Sequence, residues 1–427
     1  MSFFFKRHSV WCCYIDPMTD TQPPKHRHAL LFLFISAFLG SLGFTLVAPV
    51  LPFLVSKYIT DQSQLAATIG WLTISYSLCS FFAAPVLGAL SDRYGRRPVL
   101  LLSLLGSAIG YLIFGWGGAL WVLFLGRIID GLTAGNFSAI FGYLADVTKP
   151  EERGKYFGIM GAVFGSGFII GPAVGGLASH ISLEAPFYLA AIITLLNVVW
   201  GFFFLPESHH QEHRAEIHLK QLNPFTQIAG LFQIPAIRML LISGVLFMVP
   251  FVMMQTTFAV LVKDTLHWGP DQTSLAFMMV GISDILVQGL LLGWLIRVMG
   301  ESGVALMGLT LSLLSLVAMA LIPVFPLGVL VFSSITGFAI GEGIFNASLG
   351  SLVSRVAGPR AQGRVQGGSQ ALNALSQVVS PGLAGQLYTR AGHGAPYWTG
   401  AVMVLLGALS LATQLGNGTP VAETSEG

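Results

Sequence analysis

The stretch "GALSDRYGRRPVL", Gly88–Leu100, gathers Asp92, Arg93, Arg96 and Arg97 between glycines, in a chain of 427 residues of which only 9% are charged. Its surroundings are the opposite. Apolar residues make up 54% of the chain and the mean hydropathy is +0.74, far from the balance of a soluble domain. The apolar runs on either side are long enough to cross a bilayer core, which takes about 20 helical residues. With charged residues read as stops, twelve such runs emerge: roughly 30–52, 66–90, 98–117, 119–143, 156–178, 186–205, 236–262, 272–295, 303–322, 325–350, 364–388 and 395–414. Backbone groups in lipid must be satisfied within their own segment, so these runs are helices. The expected fold class is an all-α polytopic membrane protein with twelve transmembrane helices.

Charge sets the expected orientation. Seventeen Lys and Arg fall on the side that holds both termini, against three, Lys57, Lys263 and Arg390, on the other; Arg127 is left within a run. By the positive-inside rule both termini are cytoplasmic. The net charge of +2 therefore reflects topology and points to no nucleic-acid partner. Cys12 and Cys13 precede the first run and Cys79 lies within the second, so no disulfide framework is expected. No cleavable signal is read at the N-terminus, because the first long apolar run reads as a full span. The opening "MSFFFKRHSVWCCYIDP" differs from the rest, and Met18 is a second candidate start. The tail "NGTPVAETSEG" is polar and reads as disordered.

The chain divides into a cytoplasmic tail (1–28), six spans (29–206), a linker (207–235), six more spans (236–414) and a second tail (415–427). The linker is polar, with room for a short amphipathic helix. The halves echo one another. "RGKYFGIMGAVFGSGFIIGPAVGG" opens the fifth span and "QGRVQGGSQALNALSQVVSPGLAG" the eleventh, with Gly154, Gly158, Pro172 and Gly176 matching Gly363, Gly367, Pro381 and Gly385 at one offset. Gly88 and Gly95 of the opening stretch are answered by Gly293 and Gly300 in "GWLIRVMGE". Such duplication marks carriers that rock two pseudo-symmetric six-helix bundles about a midplane site.

These residues resemble the major facilitator superfamily, and within it the twelve-helix drug–proton antiporters, nearest the tetracycline-exporter branch. "GALSDRYGRRPVLL" matches the family signature between helices two and three. In helix five, Gly158, Gly167, Gly171, Pro172, Gly175 and Gly176 fit the antiporter pattern, and "GRIIDG" around Arg127 and "LPESH" closing helix six also match. The resemblance implies proton-coupled efflux of a small amphipathic drug or metabolite by alternating access. It also implies a bacterial inner-membrane location, action as a monomer with the substrate, protons and lipid as partners, and no cofactor or metal.

In the knot, glycines allow a tight turn between long helices, and Asp92 can sit at the positive N-terminal end of another helix. The resemblance makes that helix the eleventh. Arg93, Arg96 and Arg97 add to the latch, with Asp146 as the expected carboxylate partner and Arg153 nearby. Simple positive-inside anchoring is the plainer reading. In helix five, glycines four apart, Gly161/Gly165, Gly167/Gly171 and Gly171/Gly175, make faces that another helix can approach closely, and Pro172 removes a backbone hydrogen bond.

Ionisable residues within spans suggest function. Arg127 and Asp130 are three apart and able to pair; they read either as a proton-coupling pair or as a static one that fixes packing. Asp284 and Glu342, each with an amide one turn on (Gln288, Asn346), read as proton carriers, cation-attracting walls or solvated cavity residues. Asn136, Gln255, Gln288, Asn346, Gln370, Asn373 and Gln377 are the polar candidates for the pathway, and Gln366 extends the row on helix eleven. One departure stands out: where tetracycline exporters carry acidic residues in helices one and three, this chain has Gly40 and Gly110. Uptake of a metabolite and ligand sensing remain the competing readings. No HExxH, GxSxG, Walker loop or Cys/His cluster is present, so no enzymatic activity is expected.

Overall fold

The computed structural model describes residues 24–134, 136–148, 152–208, 223–232, 235–357 and 362–416. Side-chain positions are described for all of these except 24–28, 136–138, 153–155, 157–158, 235–236, 354–357, 362–367, 414–416 and four residues of the linker helix. Most of each tail and of the linker thus lies outside the described residues, while 24–28 of the first expected tail already belong to a helix. Among those described, every regular element is helical.

The first half holds α1 (Pro24–Val47), α2 (Leu51–Ser56), α3 (Leu65–Tyr94), α4 (Arg96–Trp116), α5 (Leu120–Leu132), α6 (Asn136–Val147), α7 (Arg153–Ser179) and α8 (Ala185–Phe204). A linker helix, α9 (Pro224–Phe232), follows. The second half holds α10 (Pro235–Leu266), α11 (Pro270–Leu286), α12 (Leu292–Leu321), α13 (Gly328–Ala357), α14 (Gln362–Ala391) and α15 (Ala395–Gly416).

Nine stretches among the described residues are long and apolar enough to cross a membrane. One of them, Pro270–Leu321, is broken at Gly300, whose φ of +70° turns the chain inside α12, so it makes two passes. The pair α5 and α6 makes another, interrupted at Thr133–Ala134. Helix α14, with its row of amides, completes the twelve. Gly95, at φ +111°, breaks α3 from α4 at the matching place in the first half. A side chain there is strained by the backbone alone, which is why both halves carry glycine at this turn.

Differences from the expected spans are local and have causes. The first run ends early, and Pro52 at the start of α2 opens a separate short helix because proline suits a first turn. In the eighth span, α11 passes through a five-residue π-helix, Val287–Leu291, before α12 begins. The expected linker helix is present as α9, where the Asn223 side chain accepts from Phe225 N–H at 3.0 Å.

Helices pack both within and between the halves. Helix α1 lies on α7 and α8, and α4 on α5 and α8; α12 lies on α13 and α15, and α10 on α15. Between halves the main seams are α3 on α14 and α7 on α11. An even number of passes puts both chain ends on one face, called here the terminal face. On the opposite, far face the seams are shut. The His180 Nε2–Asp271 Oδ1 pair joins α7 to α11 at 3.0 Å, and Thr389 donates to Ser63 O across the α3–α14 seam. Glycine lets the backbones touch there: a Cβ on Gly70 would lie 2.5 Å from Pro381 O, and one on Gly385 2.6 Å from Ala66 O. Nearer the terminal face several glycines lie beside open space. A Cβ at Gly88, Gly161, Gly289 or Gly350 would meet nothing within 4 Å.

Candidate functional site

The charged knot lies at the terminal face and ties elements of one half. Arg96 bridges Asp92 at 2.6 Å and Asp146 at the end of α6 at 3.2 Å. Arg97 donates to Phe202 O at the end of α8. The carboxylate of Glu207 accepts from the backbone N–H of Arg96 at 2.8 Å and of Arg97 at 3.3 Å. It therefore supplies acceptors, and a negative charge, to the positive N-terminus of α4. Sequence reasoning missed this role. The acid was visible in "LPESH", but its partner lies more than a hundred residues away. Asp92 pairs with Arg96; the first side chains of α14, its expected partner helix, and that of Arg153 lie outside the described residues. Arg93 stacks over Tyr94 at 5.5 Å.

The glycines of α7 serve two surfaces. Gly167, Gly171 and Gly175 face α1, where a Cβ would collide with Ser41, Thr45 and Leu46, and Thr45 Oγ1 donates to Gly167 O at 3.0 Å. This close seam is inside one half. Gly176 instead faces Ser274 of α11, at the far-face seam between halves. Gly161, Gly165 and Pro172 line a cavity. The side of α7 at Gly158 lies outside the described residues.

That cavity, of about 760 Å³, lies between the halves, walled by α1, α7, α10, α11 and α13. Its lining is mostly apolar and aromatic, including Phe44, Phe168, Phe251 and Phe277. Two carboxylates interrupt it, Asp284 of α11 and Glu342 of α13, which act on each other electrostatically. Asp284 Oδ1 is buried without a hydrogen-bond partner, while Glu342 accepts from Asn346 Nδ2. Gln288 lines the same wall inside the π-helix. Such a wide turn is frequent at functional sites, and it begins three residues after Asp284.

A smaller chamber of about 100 Å³ adjoins it towards the far face, sharing Phe44, Ala48 and Gln255 with the larger one. Arg127, Tyr76, Thr73 and Gln377 line it. Arg127 and Asp130 do not form an ion pair. The guanidinium sits over the Phe114 ring at 5.2 Å and the Tyr76 ring at 5.8 Å, and its Nε is buried without an acceptor. Asp130 is buried, with Ser107 and Arg127 both acting on its carboxyl. A Cβ on Gly110 would lie 2.8 Å from the Asp130 Cβ. The helix-three position that lacks an acid is thus the place where the helix-four acid packs.

Of the polar pathway candidates, the structure brings Gln255, Gln288 and Gln377 to the chambers. Asn346 supports Glu342 from beside the cavity. Gln370 and Asn373 are exposed and half-buried without lining either chamber, and the side chains of Asn136 and Gln366 lie outside the described residues. Among the described residues no cluster of three or more His, Cys, Asp or Glu could hold a metal ion.

Two helical bundles around a central cavity, closed against each other on one face, define a polytopic membrane carrier. The sequence profile of the Major Facilitator Superfamily matches residues 33–367 and 251–423, and the chain belongs to that family. It is 34% identical to the tetracycline resistance protein, class C, of Escherichia coli, over 91% of this chain and 96% of that protein. It is 27% identical to multidrug resistance protein 2 of Bacillus subtilis, over 88% and 92%. Among solved structures, the nucleoside transporter NupG superposes with a TM-score of 0.73 over 91% of this chain and 99% of that one, at 15% identity, a likeness of fold.

Proposed function

We propose that the chain exports a small amphipathic compound, drug-like in size, in exchange for protons, by alternating access. The carrying observation is the cavity between the halves: closed at the far face, mostly apolar, and holding two interacting carboxylates in its wall. Apolar and aromatic walls take up a hydrophobic body, and a pair of neighbouring carboxylates in such a wall is a site for one cation, a proton or a charged ligand. The resistance proteins it resembles support the direction and the substrate class.

The terminal face is cytoplasmic in this reading, supported by the seventeen-to-three division of Lys and Arg. The structure then represents the inward-open state, ready to load from the cytoplasm or inner leaflet. Closing the knot against the second half and opening the His180–Asp271 side would expose the cavity outward, where protonation of the acidic wall releases the cargo. The monomer contains the whole pathway, in a bacterial inner membrane.

The test uses sealed proteoliposomes with an acid interior. Adding a transported compound should release protons with the wild-type protein, and Asp284→Asn with Glu342→Gln should abolish release. Asp130→Asn asks whether Asp130 also takes part. If no compound moves protons while labelled drug still equilibrates, the protein is a facilitator and the coupled reading fails.

A further inference from the structure

The two chambers carry opposite charge on opposite halves. The larger has Asp284 and Glu342, both from the second half; the smaller has Arg127, from α5 of the first. They lie side by side, with Phe44, Ala48 and Gln255 lining both. The smaller chamber, at about 100 Å³, has room for about three waters, hence for a carboxylate but not for a ring.

Arg127 lacks a counter-charge in contact. Its guanidinium rests on two aromatic faces and its Nε has no acceptor, whereas buried donors are ordinarily satisfied. Asp130 is held in the α4–α5 seam against Ser107 and Gly110 and does not pair with it. On the other wall, Asp284 Oδ1 is equally without a partner. Each chamber therefore presents an unfilled bonding position, of opposite sign.

We propose that the chambers form a single bipolar site, which selects amphiphiles carrying both charges: a cationic amine at Asp284 and Glu342, and an anionic oxygen at Arg127. A plain lipophilic cation fills only the first chamber. Because the charges sit on different halves, a zwitterionic ligand bridges them and draws the bundles together on loading. This inference names the substrate class of the exporter reading and rests on it.

The test compares two dyes that share one xanthene body, rhodamine B, with a free carboxylate, and its ethyl ester, a cation only. Binding is read by fluorescence anisotropy on full-length protein in nanodiscs, with empty nanodiscs subtracted. Wild type should bind the acid about tenfold more tightly than the ester, the scale of one hydrogen bond to a charged group. Arg127→Gln should erase that preference and leave the ester's affinity within about twofold; Arg127→Lys, which keeps the charge, should retain a preference. Glu342→Gln should weaken both dyes. An ester that binds as well as the acid, or a preference that survives Arg127→Gln, overturns the proposal. Failure of both dyes to bind also overturns it, and if drugs still release protons from liposomes the exporter reading stands without it. Dye preference without any proton release leaves the bipolar site standing and removes the exporter reading.

Discussion

Replacing Gly70 by alanine should push the protein out of the state described here. The new Cβ would lie 2.5 Å from Pro381 O and 3.2 Å from Pro381 C. Both are backbone atoms of a helix and cannot rotate away. Overpacking of this kind costs about 1–3 kcal/mol. Pro381 belongs to the other half, so the clash exists only while the far face is closed. The far-face-closed population should therefore fall relative to the open one by about 5- to 150-fold. Gly385→Ala, with its Cβ 2.6 Å from Ala66 O, should act in the same direction. Two controls separate this from general damage. A Cβ on Gly126 would lie 2.8 Å from Gly110 O, inside one half, so Gly126→Ala should lower stability without shifting the equilibrium. Gly161→Ala meets nothing and should do neither. The assay is a spin-label distance measurement between Ser182 and Val324, on far-face loops of the two halves, in a background without native cysteines. Longer distances are expected in Gly70→Ala alone among these three. An unchanged distribution in Gly70→Ala, or a shift no larger than in Gly161→Ala, would refute the reasoning.

Gly171→Leu should destabilise the protein in thermal unfolding by at least about 1–3 kcal/mol, because its side chain meets Thr45 and Leu42 across the α1–α7 seam; the spin-label distances should not move. Glu207→Ala strips two acceptors from the N-terminus of α4 and should cost about 0.5–2 kcal/mol by the same measurement, with Glu207→Gln retaining part. Phe225→Ala removes the edge contact between α9 and Phe81, at 5.4 Å. Faster hydrogen exchange of α9 should follow, for a loss of about 0.5–1.5 kcal/mol. Partial burial opposes ionisation of Glu184, but hydrogen bonds, first from Lys57, outweigh it and hold the carboxyl below its ordinary value. A carboxyl lowered in this way stabilises the fold above its ordinary range and loses that contribution as the pH falls through the lowered value. Lys57→Met should flatten the acid limb of the stability profile, by no more than a few tenths of a kcal/mol, since Lys57 is 46% exposed.

Much of the architecture was legible because lipid leaves few choices. Runs such as 98–117 and 186–205 had to become helices, and α4 and α8 do so within two residues of those bounds at each end. The turn at Gly95 and its echo at Gly300 were readable as glycines at matched positions, and both take positive φ. The break between α5 and α6 and the π-helix after Asp284 were not readable. At the first, Thr133 Oγ1 donates back to Ile129 O and Asp130 O; hydropathy encodes neither a break nor a widened turn inside an apolar run.

The site divides in the same way. Sequence alone marked Arg127, Asp130, Asp284 and Glu342, because a charge in a membrane span is costly and therefore conspicuous. A spacing of three suggested that Arg127 and Asp130 pair, yet helix geometry fixes only which face residues share. Tertiary packing sent Asp130 towards Gly110 and Ser107 on α4 and Arg127 over two rings into the smaller chamber. It likewise brought Asp284 and Glu342 together from helices more than fifty residues apart, and set Glu207 beneath α4. Composition and periodicity act along the chain and determined the membrane, the passes and the duplication. Which charges meet, and which stand open to a ligand, is decided by distances between helices, and those exist only once the bundles have packed.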